Sequence, residues 1–267
     1  MATSDVNSGP AWIVVTGASR GLGAAFCMAL AERLGPGSRI VGLARSREGL
    51  LETASKVEKA NPQVKFLPVV LDLGTATQGD LEAALKEGLD PDKTPGSPVK
   101  ALMIHNAGSL GHLQHMKDLQ DLQHNNDYFR LNVSSVISLN AIFLSTMKKD
   151  YPKACLEVVN ITSLCAVQPF KSWGLYCAGK AARDMLFQVL AAEDPSITVL
   201  NYAPGPLDND MQATARTATG DEELRSAFIS MKEEGKLLTM EDSVKKFLQI
   251  WDQRKFKSGD HVDYFDE

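Results

Sequence analysis

The chain has 267 residues, 44% of them hydrophobic, which is enough to bury one large core and lies within the range of a single α/β domain. Its 28 Lys and Arg against 33 Asp and Glu leave a formal charge of -5 with the cations scattered among acids, so there is no basic field to attract nucleic acid. No apolar run approaches the roughly 20 residues of a membrane span, and Cys27, Cys155, Cys165 and Cys177 form no C-x-x-C pair, which predicts a soluble, cytoplasmic protein with no membrane partner.

Residues 1–10 are polar and small, with no basic segment ahead of an apolar one, and read as a flexible tail rather than a secretory signal. One domain is expected over 11–267. In chain order, apolar or β-branched runs at 12–16, 39–44, 64–71, 101–105, 156–161 and 198–202 alternate with longer helical stretches. The runs are apolar nearly throughout, as strands covered on both faces should be, so the pattern predicts a single-domain, Rossmann-type, doubly wound parallel sheet flanked by helices. Helices are expected at 22–34, ended by Gly35-Pro36-Gly37, and at 174–192, ended before Pro195. The Pro-rich stretch 90–98 reads as a surface loop, and 211–240 as helical cover over a site that must exclude water.

After the first strand comes Thr16-Gly17-Ala18-Ser19-Arg20-Gly21-Leu22-Gly23, running straight into a helix. Glycines there permit a tight turn and let the backbone approach a pyrophosphate, which the helix N-terminus also favours. The spacing is G-x-x-x-G-x-G, not G-x-G-x-x-G, and alone it would also suit an ordinary turn. The second strand ends in Arg45-Ser46-Arg47 with no acid to grip a ribose 2'-hydroxyl. Arg45, with Arg20 from the other side, suits the 2'-phosphate of NADPH, although arginines at these positions could also be solvated surface charges.

Ser163 follows the fifth strand, and Tyr176 and Lys180 stand four apart near a helix start, on one face. A phenol is a poor proton donor at neutral pH until a neighbouring cation makes it more acidic, and Lys180 is the expected cation. A Tyr-x-x-x-Lys pair alone is more often packing beside a surface lysine. Taken with the glycine turn, Asn106-Ala107-Gly108 after the fourth strand, Asn132 in the next long helix and Ser163 thirteen positions before Tyr176, the chain resembles the short-chain dehydrogenase/reductase family.

That resemblance implies seven strands, NADPH/NADP as cofactor, and roles for individual residues. Ser163 would hold a substrate carbonyl, Tyr176 donate the proton, Lys180 also bind the nicotinamide ribose, and Asn132 support a water relay. Gly17, Ser19, Arg20, Gly21, Leu22 and Gly23 would line the pyrophosphate, with Arg45 and Ser46 at the ribose phosphate, Asp72 and Leu73 at the adenine, and Asn106 and Leu207 toward the nicotinamide. His105 stands where the family commonly has asparagine, which puts its contact with a ligand in doubt. The segments 163–190, 201–208 and 256–266 resemble the pterin-reducing branch of the family. This implies the last reduction of tetrahydrobiopterin biosynthesis, with Leu164 and Gly205 near the substrate and Asp263 gripping the guanidine-like edge of the pterin, although Asp263 could also be a surface acid. It also implies a homodimer through long helices at 119–149 and 174–192. A broad-specificity reductase of diketones or quinones and a non-catalytic NADP-sensing module are the alternative readings. His112, His115 and His124 lack a third ligand at metal-binding spacing, so no metal is expected, and Cys165 and Cys177 are expected to pack as small apolar groups.

Overall fold

The computed structural model describes residues 9–89 and 97–266. Seven strands form one parallel sheet: β1 (Ala11–Thr16), β2 (Arg39–Ala44), β3 (Lys65–Val70), β4 (Lys100–His105), β5 (Cys155–Ile161), β6 (Thr198–Ala203) and β7 (His261–Asp263). They lie in the order β3-β2-β1-β4-β5-β6-β7, every neighbouring pair parallel. The order reverses direction at β1 and β4, which opens a crevice at the carboxyl ends of the strands.

The strands are apolar on both faces because each face has its own core. Ile13 and Val15 of β1 join one cluster while Trp12 and Val14 join the other. On the first face lie α1 (Gly21–Ala31), α2 (Arg47–Ala60) and α9 (Met240–Gln253), with Phe26 of α1 edge-on to Phe247 of α9 at 4.9 Å. The second face carries α3 (Gln78–Leu89), α5 (Ser135–Asp150) and α6 (Gly174–Glu193), through Leu85, Phe143 and Phe187. Between β6 and α9, α7 (Asp210–Ala218) and α8 (Glu222–Glu233) form the helical cover expected from the sequence.

The differences from the sequence reading are local. The first helix ends at Ala31, short of residue 34. The stretch 119–149 is not one helix: α4 (Leu122–Phe129) is joined to α5 by a turn of π-helix, Arg130–Ser134. Residues 1–8 of the expected tail and 90–96 of the expected loop lie outside the described residues. Pro10, at the end of that tail, is tied down, its carbonyl accepting from Val99 N at 2.9 Å.

Candidate active site

The glycine turn is built by exclusion of side chains. Gly17 and Gly21 have φ of 69° and 55°, the left-handed region that favours glycine. A Cβ on Gly23 would stand 2.3 Å from the Gly17 carbonyl oxygen, whereas one on Gly21 would meet nothing within 4 Å. The turn therefore closes tightly on itself and opens outward over the start of α1. The neighbouring end of β4 locks it: Asn106 Nδ2 donates to the Thr16 carbonyl at 2.9 Å, and Thr16 Oγ1 accepts from the backbone N–H groups of Asn106 and Ala107, each at 2.9 Å. The Asn106 side chain is thus engaged with the turn itself.

At the outer end of the crevice Arg45 is exposed, and Ser46 caps α2 by accepting from Gly49 N at 3.1 Å. Arg20 is also exposed but is paired with Asp210 at the start of α7, so it points to the helical cover rather than standing alone. Asp72 turns its carboxylate back onto Gly74 N at 2.9 Å, and Leu73 is buried in the core. A glycine cradle that a Cβ would fill, a helix N-terminus with unpaired N–H groups and an exposed guanidinium at the end of β2 together fit a phosphorylated dinucleotide.

The inner end holds Ser163, Tyr176 and Lys180. Ser163 leaves β5 in extended conformation and is half-buried, its Oγ accepting from Cys165 N at 3.2 Å. Tyr176 lies in the first turn of α6, 8% exposed, under a cluster that includes Leu110, Leu113, Trp173 and Ala215. Its cover is part of the fold: Met211 Sδ of α7 lies 4.0 Å from the phenol oxygen, and Trp173 Nε1 donates to Thr219 Oγ1 at 3.1 Å. Lys180 Nζ donates to the Ile161 carbonyl at 2.7 Å and stands 5.5 Å from the Tyr176 ring centre. The π-helical turn carries Asn132, whose Oδ1 accepts from Ser109 N at 2.8 Å and whose Nδ2 donates to the Tyr128 carbonyl at 2.9 Å. Tyr128 in turn explains Gly179 of the Tyr-x-x-x-Lys segment, because a Cβ there would stand 2.5 Å from its phenol oxygen.

The titration of the pair differs from the sequence reading. Burial pushes the Tyr176 phenol up, against the hydrogen bond with Ser163 and the charge of Arg183, which pull it down. Burial, helped by the charge of Arg183, brings Lys180 down to about 7. In this enclosure the cost of placing charge away from water dominates the titration of both groups. Tyr176 is accordingly held protonated at neutral pH.

Packing places several other residues singled out in the sequence. His105 is fully buried, its Nε2 3.1 Å from Asn140 Oδ1, and desolvation brings it down to about 3; it is a neutral core group behind the crevice. His112 and His124 stack on each other, and no group of three potential metal ligands occurs among the described residues. Cys165 is buried in the cluster around Tyr176, and Cys177 packs half-buried beside it. Asp263 ends β7 opposite Ala203, on the same edge of the sheet as Ser163 and Gly205, with Oδ1 accepting from Phe265 N at 3.0 Å. Leu164 is exposed and Leu207 buried, the latter bridged to Leu238. Sequence reading placed 211–240 as cover without singling out Met211 over Tyr176, and it missed Tyr128 beneath; neither stands in a recognisable motif.

The model of the short-chain dehydrogenase family matches residues 11–220. The chain belongs to that family. Within it the chain groups with sepiapterin reductases. It is 44% identical to the sepiapterin reductase of Xenopus tropicalis, over 95% of each chain, and 44% identical to that of Mus musculus, over 97% of this chain and 98% of the other. Among solved structures, a short-chain dehydrogenase from Escherichia coli CFT073 complexed with NADPH superposes with a TM-score of 0.74 at 26% identity, covering all of both chains.

Two measurements check this geometry. Gly23→Ala is expected to destabilise the protein by about 1–3 kcal/mol, because backbone rather than a mobile side chain occupies the space; a melting temperature equal to that of the parent would contradict it. Lys180 carries a folded-state value of about 7 against 10.5 when unfolded. The unfolded chain therefore binds more protons between those values, and the burden of this buried group is full below pH 7 and is relieved as pH rises. Lys180→Met should raise the melting temperature of the ligand-free protein at pH 6, by a margin that shrinks toward pH 10. A margin that grows with pH would reverse the assignment.

Proposed function

We propose that this chain is an NADPH-dependent oxidoreductase that reduces a carbonyl on a pterin side chain. The observation that carries the reading is the enclosure of a protonated Tyr176 with Ser163 and Lys180 at the carboxyl edge of the sheet. The sepiapterin reductase relatives supply the substrate class, and the NADPH complex of the related Escherichia coli protein supports the cofactor.

When bound, the reduced dinucleotide supplies hydride to the carbonyl carbon. The backbone of Gly17, Ser19, Gly21, Leu22 and Gly23 would hold its pyrophosphate, Arg45 and Arg20 its 2'-phosphate with Ser46 beside them, Asp72 and Leu73 its adenine, and Asn106, Leu207 and Lys180 its nicotinamide half. Ser163 orients the substrate carbonyl through its hydroxyl, and Tyr176 gives its phenolic proton to the same oxygen as negative charge develops there. Lys180, anchored on the Ile161 carbonyl, places its ammonium where it offsets the phenolate left behind. Asn132 holds the Ser109 backbone beside the site and would line the route by which Tyr176 is reprotonated. Leu164 and Gly205 would flank the pterin, with the Asp263 carboxylate accepting from its guanidine-like edge.

The same reading includes a homodimer in a reducing, cytoplasmic setting. Ile137 of α5 and Met185, Leu186 and Val189 of α6 are apolar and exposed, which leaves both helices with surface for a second copy. The four cysteines are free thiols, and no helix among the described residues is long and apolar enough to cross a membrane.

Following NADPH oxidation with sepiapterin and a panel of simple diketones tests the function. Sepiapterin should be the preferred substrate, and Tyr176→Phe should lower kcat about a hundredfold or more; full turnover by that variant ends the proposal. Asp263→Asn should raise KM for sepiapterin far more than for a diketone, and equal effects would remove the anchor. Arg45→Asp should weaken NADPH and strengthen NADH in a direct binding titration, while unchanged selectivity would place the 2'-phosphate elsewhere.

A further inference from the structure

Arg183 lies one turn beyond Lys180 on α6 and is fully buried. Its donors go to neutral oxygens: Nε to Asn160 Oδ1 at 2.8 Å, Nη1 to the Ala107 carbonyl at 3.0 Å and Nη2 to the His105 carbonyl at 2.5 Å. A buried guanidinium held by carbonyl dipoles is costly, and desolvation brings it down to about 10, still cationic at neutral pH. One carbonyl ends β4 and the other lies two residues on, and the residue between them, Asn106, clamps the glycine turn through Thr16. One side chain thus ties the helix of Tyr176 and Lys180 to the turn that closes the cofactor crevice.

The charged and titratable groups around it are Tyr128 of α4, Tyr176, Lys180 and Asp184 of α6, and His105 of β4. Asp184 is shared with others, its Oδ2 lying 2.5 Å from His261 Nδ1 and its Oδ1 accepting from Asn160 Nδ2 at 3.4 Å. The positive charge of Arg183 consequently remains felt at both members of the proton-transfer pair, pulling each to lower values.

We propose that Arg183 is a positioning residue for the reaction, fixing the 105–107 turn against the catalytic helix and maintaining a positive potential on Tyr176 and Lys180. This rests on the reading that those two carry the proton transfer, so Tyr176→Phe is run alongside. The test measures kcat/KM against pH with sepiapterin, and NADPH affinity by quenching of tryptophan fluorescence, for Arg183→Met and Arg183→Lys. Loss of the cation should move the basic limb of the profile upward by about one pH unit in Arg183→Met and lower kcat about tenfold or more. Arg183→Lys should leave the limb in place, because charge is retained, but bind NADPH several-fold more weakly, because one ammonium cannot reproduce a three-point fork. A profile and an NADPH affinity both unchanged in folded variants, with only the melting temperature lowered, would overturn the assignment. If Arg183→Met does not fold, Arg183→Lys decides: weakened NADPH binding sustains the proposal and parental binding overturns it. Substantial activity in Tyr176→Phe would instead sink the underlying reading, whatever Arg183 does.

Discussion

The burial of a polar helix face against the carboxyl ends of β4, β5 and β6 governs the architecture of the site. Tyr176, Lys180, Arg183 and Asp184 recur at helical spacing on α6 and are all less than 9% exposed. Such groups tolerate removal from water when acceptors are placed for their charge, and here strand-end carbonyls and a buried amide provide them: Ile161 for Lys180, and His105, Ala107 and Asn160 for Arg183. The helix has no freedom to slide, because a shift by one residue would strand several of these groups at once. A rigid acid at a fixed distance from the crevice floor is the chemical result.

The crevice is set by a second, smaller lock between β1 and β4. Asn106 donates to Thr16 twice across the strand ends, and Gly23 lets α1 begin hard against the Gly17 carbonyl. The helix therefore starts close beside the strand end. The two locks share the 105–107 turn, so the phosphate-binding and proton-transferring halves of the molecule are positioned from a common point.

Much of this was legible in the chain because it follows from periodicity and backbone geometry. Six apolar runs separated by helical stretches matched six of the seven strands to within a residue or two at each end, β7 being too short to show as a run, and the glycine spacing located the turn at the switch in strand order. What was not legible depends on contacts distant in sequence. Nothing about Arg20 foretells a pairing with Asp210, 190 positions away, and Met211 becomes a lid over Tyr176 only once α7 has folded across α6. The acidity of Tyr176 was misjudged for a similar reason: the attraction of a lysine four residues on can be read from spacing, but the loss of water around both groups cannot. The long helix over 119–149 implied by the resemblance likewise gave no sign of one additional residue in a turn.

That additional residue constrains how the chain can vary. Through Arg130–Ser134 the helical count slips by one position, so Asn132 meets Ser109 while Val136, Leu139, Phe143 and Met147 still meet the sheet. Deleting one amino acid here would restore ordinary α-helical winding and leave the faces of the two flanking segments nearly where they are, because the wide turn already absorbs the additional residue. The greasy stripe would keep to the sheet, while the amide of Asn132, which sits inside the wide turn, would lose its placement against Ser109. The length of this segment is thus under as tight a restriction as its chemistry, and insertions or losses there should be far rarer than substitutions.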